Sequence, residues 1–168
     1  MVRFKNRWLL VELIPLPQTH TTSPVTSSIS RPRTPANNNN LDGKTIWAAL
    51  RQSVLTHFGD VGWGAVAPSL TIKYFSPTTS VAIIRVSREH HKIAWAALTL
   101  LSSIDGVRYI PHVVHLSGTI KHAQLAAIEH NRVVIARFRA LSKSAPGTRD
   151  SYDAFLEKSG LEIEALQD

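Results

Sequence analysis

The sequence predicts an α/β chain, an α+β sandwich in the order β-α-β-β-α-β with a third helix added. Two observations carry this. Residues 7–14 and 81–86 are apolar on alternate and intervening positions alike, as strands covered on both faces are. Residues 70–74 and 108–116 alternate or contain a proline, as edge strands do. A sheet ordered 4-1-3-2 puts the first and third strands in the middle and the others at its margins, which is the ferredoxin-like arrangement.

Each element follows from local chemistry. In the first strand Leu9, Val11 and Leu13 alternate with Trp8, Leu10 and Ile14. Residues 17–40 hold Pro17, Pro24, Pro32, Pro35 and Asn37 to Asn40, and read as a disordered Pro/Ser/Asn-rich insert. Asp42 is the N-cap of a helix running to about His57, with Ile46, Trp47, Leu50, Val54 and Phe58 on one stripe, before Gly59, Gly62 and Gly64 break the pattern. After the third strand, Ser87 is expected to cap a second helix with Glu89 in its first turn. That helix runs to about Ser102, and Asp105-Gly106 makes a turn. Pro111 demotes the fourth strand to an edge. Ser117-Gly118-Thr119 opens a third helix over about Ile120–Leu141, which covers the second sheet face. Residues 1–145 form one domain interrupted at 17–40, and 146–168 a short helix ended by Gly160 with an acidic tail.

Composition narrows the function. The chain has 168 residues, 43% of them hydrophobic, enough for a real core. It has no cysteine, which excludes disulfides, thiolate zinc sites and a cysteine nucleophile. Residues 1–149 carry 18 Lys/Arg against 6 Asp/Glu, while residues 150–168 carry Lys158 against six acids. A basic body with an acidic tail points to a polyanionic partner, most often nucleic acid. No apolar run approaches the roughly 20 residues of a membrane span. The opening run is interrupted by Glu12 and ends in Pro15-Leu16-Pro17, so it reads as a strand with a basic leader rather than an export signal.

Enzyme signals are weak. Gly43-Lys44-Thr45 is similar to the end of a P-loop, but Asn38 stands where the loop's first glycine belongs. His90-His91 diverge on a helix, and His112 and His115 are expected on opposite faces of a strand. The third strand, Ser-Val-Ala-Ile-Ile-Arg-Val, has no aromatic residue, so base stacking on an open sheet is not expected. The third helix carries two stripes. Ile120, Ala123, Ala127, Val134 and Phe138 suit the sheet; Lys121, Leu125, Ile128, Arg132, Ile135 and Arg139 suit an outward partner, protein or RNA.

Three motifs in register resemble one family. They are Val2-Arg3-Phe4-Lys5-Asn6-Arg7-Trp8-Leu9-Leu10, then Ile84-Arg85-Val86-Ser87-Arg88-Glu89 with Trp95-Ala96-Ala97-Leu98, then Ser117-Gly118-Thr119-Ile120 followed by Gln124 and Arg132. They are similar to the Pop-five subunit family of ribonuclease P and ribonuclease MRP, over about residues 1–16 and 41–140. The insert at 17–40 and the tail depart from it. The resemblance implies a subunit without an active site of its own, in a nuclear and nucleolar particle. There a catalytic RNA, with magnesium on the RNA and no cofactor on the protein, removes precursor-tRNA 5′ leaders, and the MRP particle processes rRNA precursors. It implies ribonuclease P RNA and ribonuclease MRP RNA as partners, with a small paralogue of similar fold and an Rpp-thirty (Rpp-one in fungi) subunit.

Candidate RNA contacts are Arg3, Lys5 and Arg7 in the leader, then Arg85, Arg88, Lys121 and Arg132 within the matching motifs. Each has a plainer role: Arg85 pairing with Glu12 or Glu89, Arg132 with Glu129, and Ser117-Gly118-Thr119 as a helix cap. Leu125, Ile128 and Ile135 are the candidate protein interface. A generic ferredoxin-like RNA-binding or ribosome-biogenesis factor is the alternative, with an acylphosphatase-like enzyme behind it.

Overall fold

The computed structural model describes residues 5–16, 41–142 and 151–167. Arg3, the insert at 17–40 and Pro146-Gly147 lie outside the described residues. The elements are β1 (Asn6–Pro15), α1 (Gly43–Val66), β2 (Thr71–Ser76), β3 (Val81–Ser87), α2 (His91–Leu100), β4 (Ser103–Ile104), β5 (Val107–Ser117), α3 (Ile120–Ser142) and α4 (Ser151–Glu164). The strands lie in the order β2-β3-β1-β5-β4, every pairing antiparallel. This is the expected sheet with β5 as its fourth long strand. The two-residue β4 is an addition that alternation over so short a run cannot reveal.

The doubly apolar strands are central because they feed two cores. Leu9, Val11 and Leu13 of β1 and Ala82, Ile84 and Val86 of β3 pack with Ile46, Leu50 and Val54 of α1 and Ala94, Ala97 and Leu98 of α2. On the other face Trp8, Leu10 and Ile83 meet Ala123 and Ala127 of α3 and Ile163 of α4. Each such large side chain, removed from water, stabilises by about 1.5–3 kcal/mol. Pro111 lies beyond the short β4 ladder, where β5 has a strand on one side only, which is where a residue lacking an N–H is tolerated. Asp105 (φ 48°) and Gly106 (φ 76°) close the β4–β5 hairpin, the double positive φ that suits an Asp-Gly turn.

Asp42 caps α1 as expected. Its Oδ1 accepts from the Gly43 N–H (2.7 Å), and its own N–H donates to Thr45 Oγ1 (2.9 Å). The P-loop-like tripeptide is therefore the first turn of a capped helix. The helix does break at Gly59 (φ 63°, ψ −168°), a conformation open essentially to glycine. It then resumes to Val66. Trp63 in the resumed segment folds back edge-on to Trp47 (centroids 5.6 Å apart) and under Arg51, which fastens the kink. Gly62 allows this closeness, since a Cβ there would lie 2.3 Å from Phe58 Cβ.

Two further departures concern helix ends. β3 takes Ser87, so α2 begins at His91 with no side-chain cap and no acid in its first turn. And α4 passes through Gly160 to Glu164, burying Ile163 completely. Gln124 of α3 holds it there. Its side-chain amide donates to the carbonyls of Ile163 (2.7 Å), Leu166 (3.0 Å) and Glu164 (3.3 Å) at the helix end, where intrahelical donors run out.

Candidate nucleic-acid interface

Antiparallel pairing sets the start of β1 between the ends of β3 and β5. Asn6 pairs with Ser87, Trp8 with Ser117, and the Arg88 N–H donates to the Lys5 carbonyl (2.8 Å). Three sequence-distant stretches therefore meet at one end of the sheet. They bring Lys5, Arg85 and Arg88 to one cleft, while Arg7 alternates onto the other sheet face beside Gly118 and Lys121 lies in the first turn of α3. A cleft of about 890 Å³ opens there. Lys5, Arg85, Ser87, Arg88 and His90 line it, Glu89 is its acid, and Ala65, Pro68 and Ser69 at the end of α1 contribute another wall.

Arg85 is the informative side chain. It projects from a buried strand between Trp8 and Thr71 and is half-buried. No ion pair joins it to Glu12 or Glu89, and its Nε is buried without a partner. Ser87 Oγ is orphaned in the same cleft. Unsatisfied buried donors cost stability, and those on a cation cost more. Anionic oxygens are the acceptors that such donors call for. Ser87 and His90 were not among the expected contacts. Reading Ser87 as a helix cap concealed it, because the strand runs one residue further than the apolar pattern.

Arg7 is held against its own strand and the turn after β5. Its Nη1 donates to the Asn6 carbonyl (3.3 Å), and the side chain lies over Gly118, where a Cβ would come within 3.2 Å of Nη1. Ser117 Oγ accepts from the Thr119 N–H (3.1 Å), so the Ser-Gly-Thr turn closes upon itself as a cap. Lys5, Arg88 and Lys121 are exposed. The Arg88 carbonyl accepts from His91 Nδ1 (2.6 Å), which ties that turn to α2.

The remaining expected residues lie elsewhere. Arg132 is exposed further along α3, in a groove facing α4. Of the outward apolar stripe, Leu125 is 65% exposed, Ile128 is half-buried against the second core, and Ile135 is fully buried. Ile135 is thus a core residue, and the exposed part of that stripe reduces to Leu125. His112 and His115 share a face, contrary to simple alternation. The register slips between Leu10 and Val11, which absorbs Val114 as an extra residue and leaves His115 opposite Leu10 and His112 opposite Glu12.

Glu12 meets His130 of α3 across this face, Oε2 to Nε2 at 3.2 Å. His130 beside it holds the Glu12 carboxyl below its ordinary range against the opposing effect of burial, with His112 and Arg137 adding to the lowering. Among the described residues no group of three or more His, Asp or Glu side chains is placed to hold a metal ion. No helix among them is long and apolar enough to cross a membrane.

Comparison with known proteins agrees with this architecture. The family model of the Rpp14/Pop5 family matches residues 7–128. The ribonuclease P/MRP protein subunit POP5 of Schizosaccharomyces pombe is 46% identical over 137 residues, 79% of this chain and 89% of that protein. The subunit of the same name from Saccharomyces cerevisiae is 32% identical over 173 aligned positions, covering 98% and 96%. The one from Homo sapiens is 27% identical over 136, covering 79% and 73%. A chain in the cryo-EM structure of yeast ribonuclease MRP shares the fold at a TM-score of 0.51 and 11% identity, covering 98% of this chain and 95% of that one. The sheet order, the three motifs and these relatives lead to one assignment: the chain belongs to the Rpp14/Pop5 family.

Proposed function

We propose that this chain is a non-catalytic protein subunit of ribonuclease P and ribonuclease MRP that braces their RNA through the basic end of its sheet. Membership of a family whose curated relatives are ribonuclease P/MRP subunits supports the subunit role. The observation that carries the RNA contact is the gathering of Lys5, Arg85 and Arg88 in one cleft, where the buried Arg85 Nε has no partner.

The physics is that of phosphate neutralisation. A folded RNA crowds phosphates, and their repulsion opposes the working conformation. Cations held against the backbone release counterions and hold it in register without reading bases. The strand framework matters because β1, β3 and β5 fix the spacing of those cations. In this reading the catalyst is RNA and magnesium resides on it. The particle works in nucleus and nucleolus on precursor tRNA and rRNA, and the protein partners are a small paralogue of similar fold and an Rpp-thirty or Rpp-one type subunit.

The test is the identity of the RNA that co-purifies with the native protein. One discrete large non-coding species is expected. Ribosomal or random RNA would instead favour a generic RNA-binding or ribosome-biogenesis factor. The isolated protein, freed of RNA, is expected to leave precursor tRNA uncut; cleavage by protein alone would overturn the proposal.

A further inference from the structure

α3 and α4 lie side by side and leave a groove of about 580 Å³ between them, away from the basic end of the sheet. Its apolar part is Ile128, Leu156 and Leu161, the last 70% exposed. Its rim carries Asp153, Glu157 and Glu164 against the single cation Arg132. Asp153 is already engaged by Arg139, whereas among the described residues no ion pair occupies Glu157 or Glu164. On a chain of net charge +7, this is a local inversion of sign.

Asn131 supplies an independent observation. It is 1% exposed, it lines the groove, and neither its Oδ1 nor its Nδ2 has a hydrogen-bond partner. A buried amide open on both its donor and its acceptor is rare in a finished structure, because each unmet group costs stability. A peptide group offers the matching acceptor and donor together. The acidic rim repels phosphates, so RNA does not fit here.

We infer that the α3–α4 groove is a docking site for a Lys/Arg-rich, partly apolar segment of another protein. Its apolar side chains cover Leu161, Leu156 and Ile128, its cations meet Glu157 and Glu164, and its backbone completes Asn131. The inference uses a different surface from the RNA interface and rests on the subunit reading only in expecting a protein neighbour. The groove also shows what the outward stripe of α3 was doing in the sequence: Ile128 and Arg132 belong to it, and the other half of the site comes from the acidic tail.

The test places a photo-crosslinking amino acid at Leu161 of the full chain, purified natively with whatever it assembles with. The expected product is a crosslink to a protein peptide with an excess of Lys and Arg. The Glu157→Lys/Glu164→Lys variant should lower its yield by about tenfold or more, and Asn131→Leu, which removes both open groups, should lower it as well. RNA recovery should be unchanged in both variants and in the labelled chain. A crosslink to RNA, to an acidic or neutral peptide, or to no macromolecule overturns the inference, as does a yield that ignores charge reversal. Loss of the large RNA from the unlabelled, unmutated chain would instead count against the proposed function.

Discussion

Replacing Lys5, Arg85 and Arg88 together by glutamine removes the three Lys/Arg side chains that line the cleft while keeping much of their length. The fold should survive. Lys5 and Arg88 are exposed, and among the described residues Arg85 forms no ion pair, its buried Nε having no partner to lose. If each cation neutralises one phosphate, the dependence of log K on log salt should flatten by about 0.7–0.9 per residue, hence about 2–3 for the triple variant. Between roughly 50 and 200 mM salt the unaltered chain should then lose about 20- to 40-fold more affinity than the variant. The assay is fluorescence anisotropy of labelled ribonuclease P or MRP RNA across a salt series, with thermal unfolding as the check on folding. Arg132→Gln is the contrast, since it sits in the α3–α4 groove and should leave the slope unchanged. A triple variant with the original slope, or an Arg132 variant that flattens it equally, would refute the placement of the RNA contact at this end of the sheet.

Three other outcomes follow from packing and titration. Gly62→Ala should destabilise by about 1–3 kcal/mol, because its Cβ would fall 2.3 Å from Phe58 Cβ; chemical denaturation measures it. Gln124→Ala should cost about 1–3 kcal/mol and raise amide exchange in α4 well above that in α3, since it removes the side-chain donor shared by three carbonyls at the end of α4. Glu12 has a folded-state pKa lowered from 4.5, so its contribution is complete above that value and fades as pH falls through the lower folded value. Urea midpoints at neutral and strongly acid pH should therefore separate for the native chain more than for Glu12→Gln, and equal acid sensitivity would remove Glu12 from the account.

The sheet was legible because its signals are local and repeated. Two-sided apolarity in 7–14 and 81–86 can be met only by strands with a layer on each face, and Asp42 and Asp105-Gly106 announce their own geometry. What stayed hidden depended on tertiary context. The resumption of α1 after Gly59 relies on Trp63 reaching Trp47. The continuation of α4 through Gly160 relies on Gln124 and on the burial of Ile163, neither visible in an acidic stretch. The bulge at Val114 reverses the parity of β5 and so the side on which His115 falls. For the site, the sequence could nominate cations but not sort them. Register alone gathers Lys5 with Arg85 and Arg88 and leaves Arg132 in other company.

β1 is common to both cores, with Leu9 in one and Leu10 in the other. The two layers therefore cannot melt separately, and unfolding should be a single event. There is also a consequence for order of assembly. Leu9 pairs with Ile84 and with Leu116, so the strand on which everything depends is made first and flanked last. During synthesis it must wait, unpaired and greasy, for most of the chain to arrive, which makes it the stretch most exposed to wrong company before the fold closes.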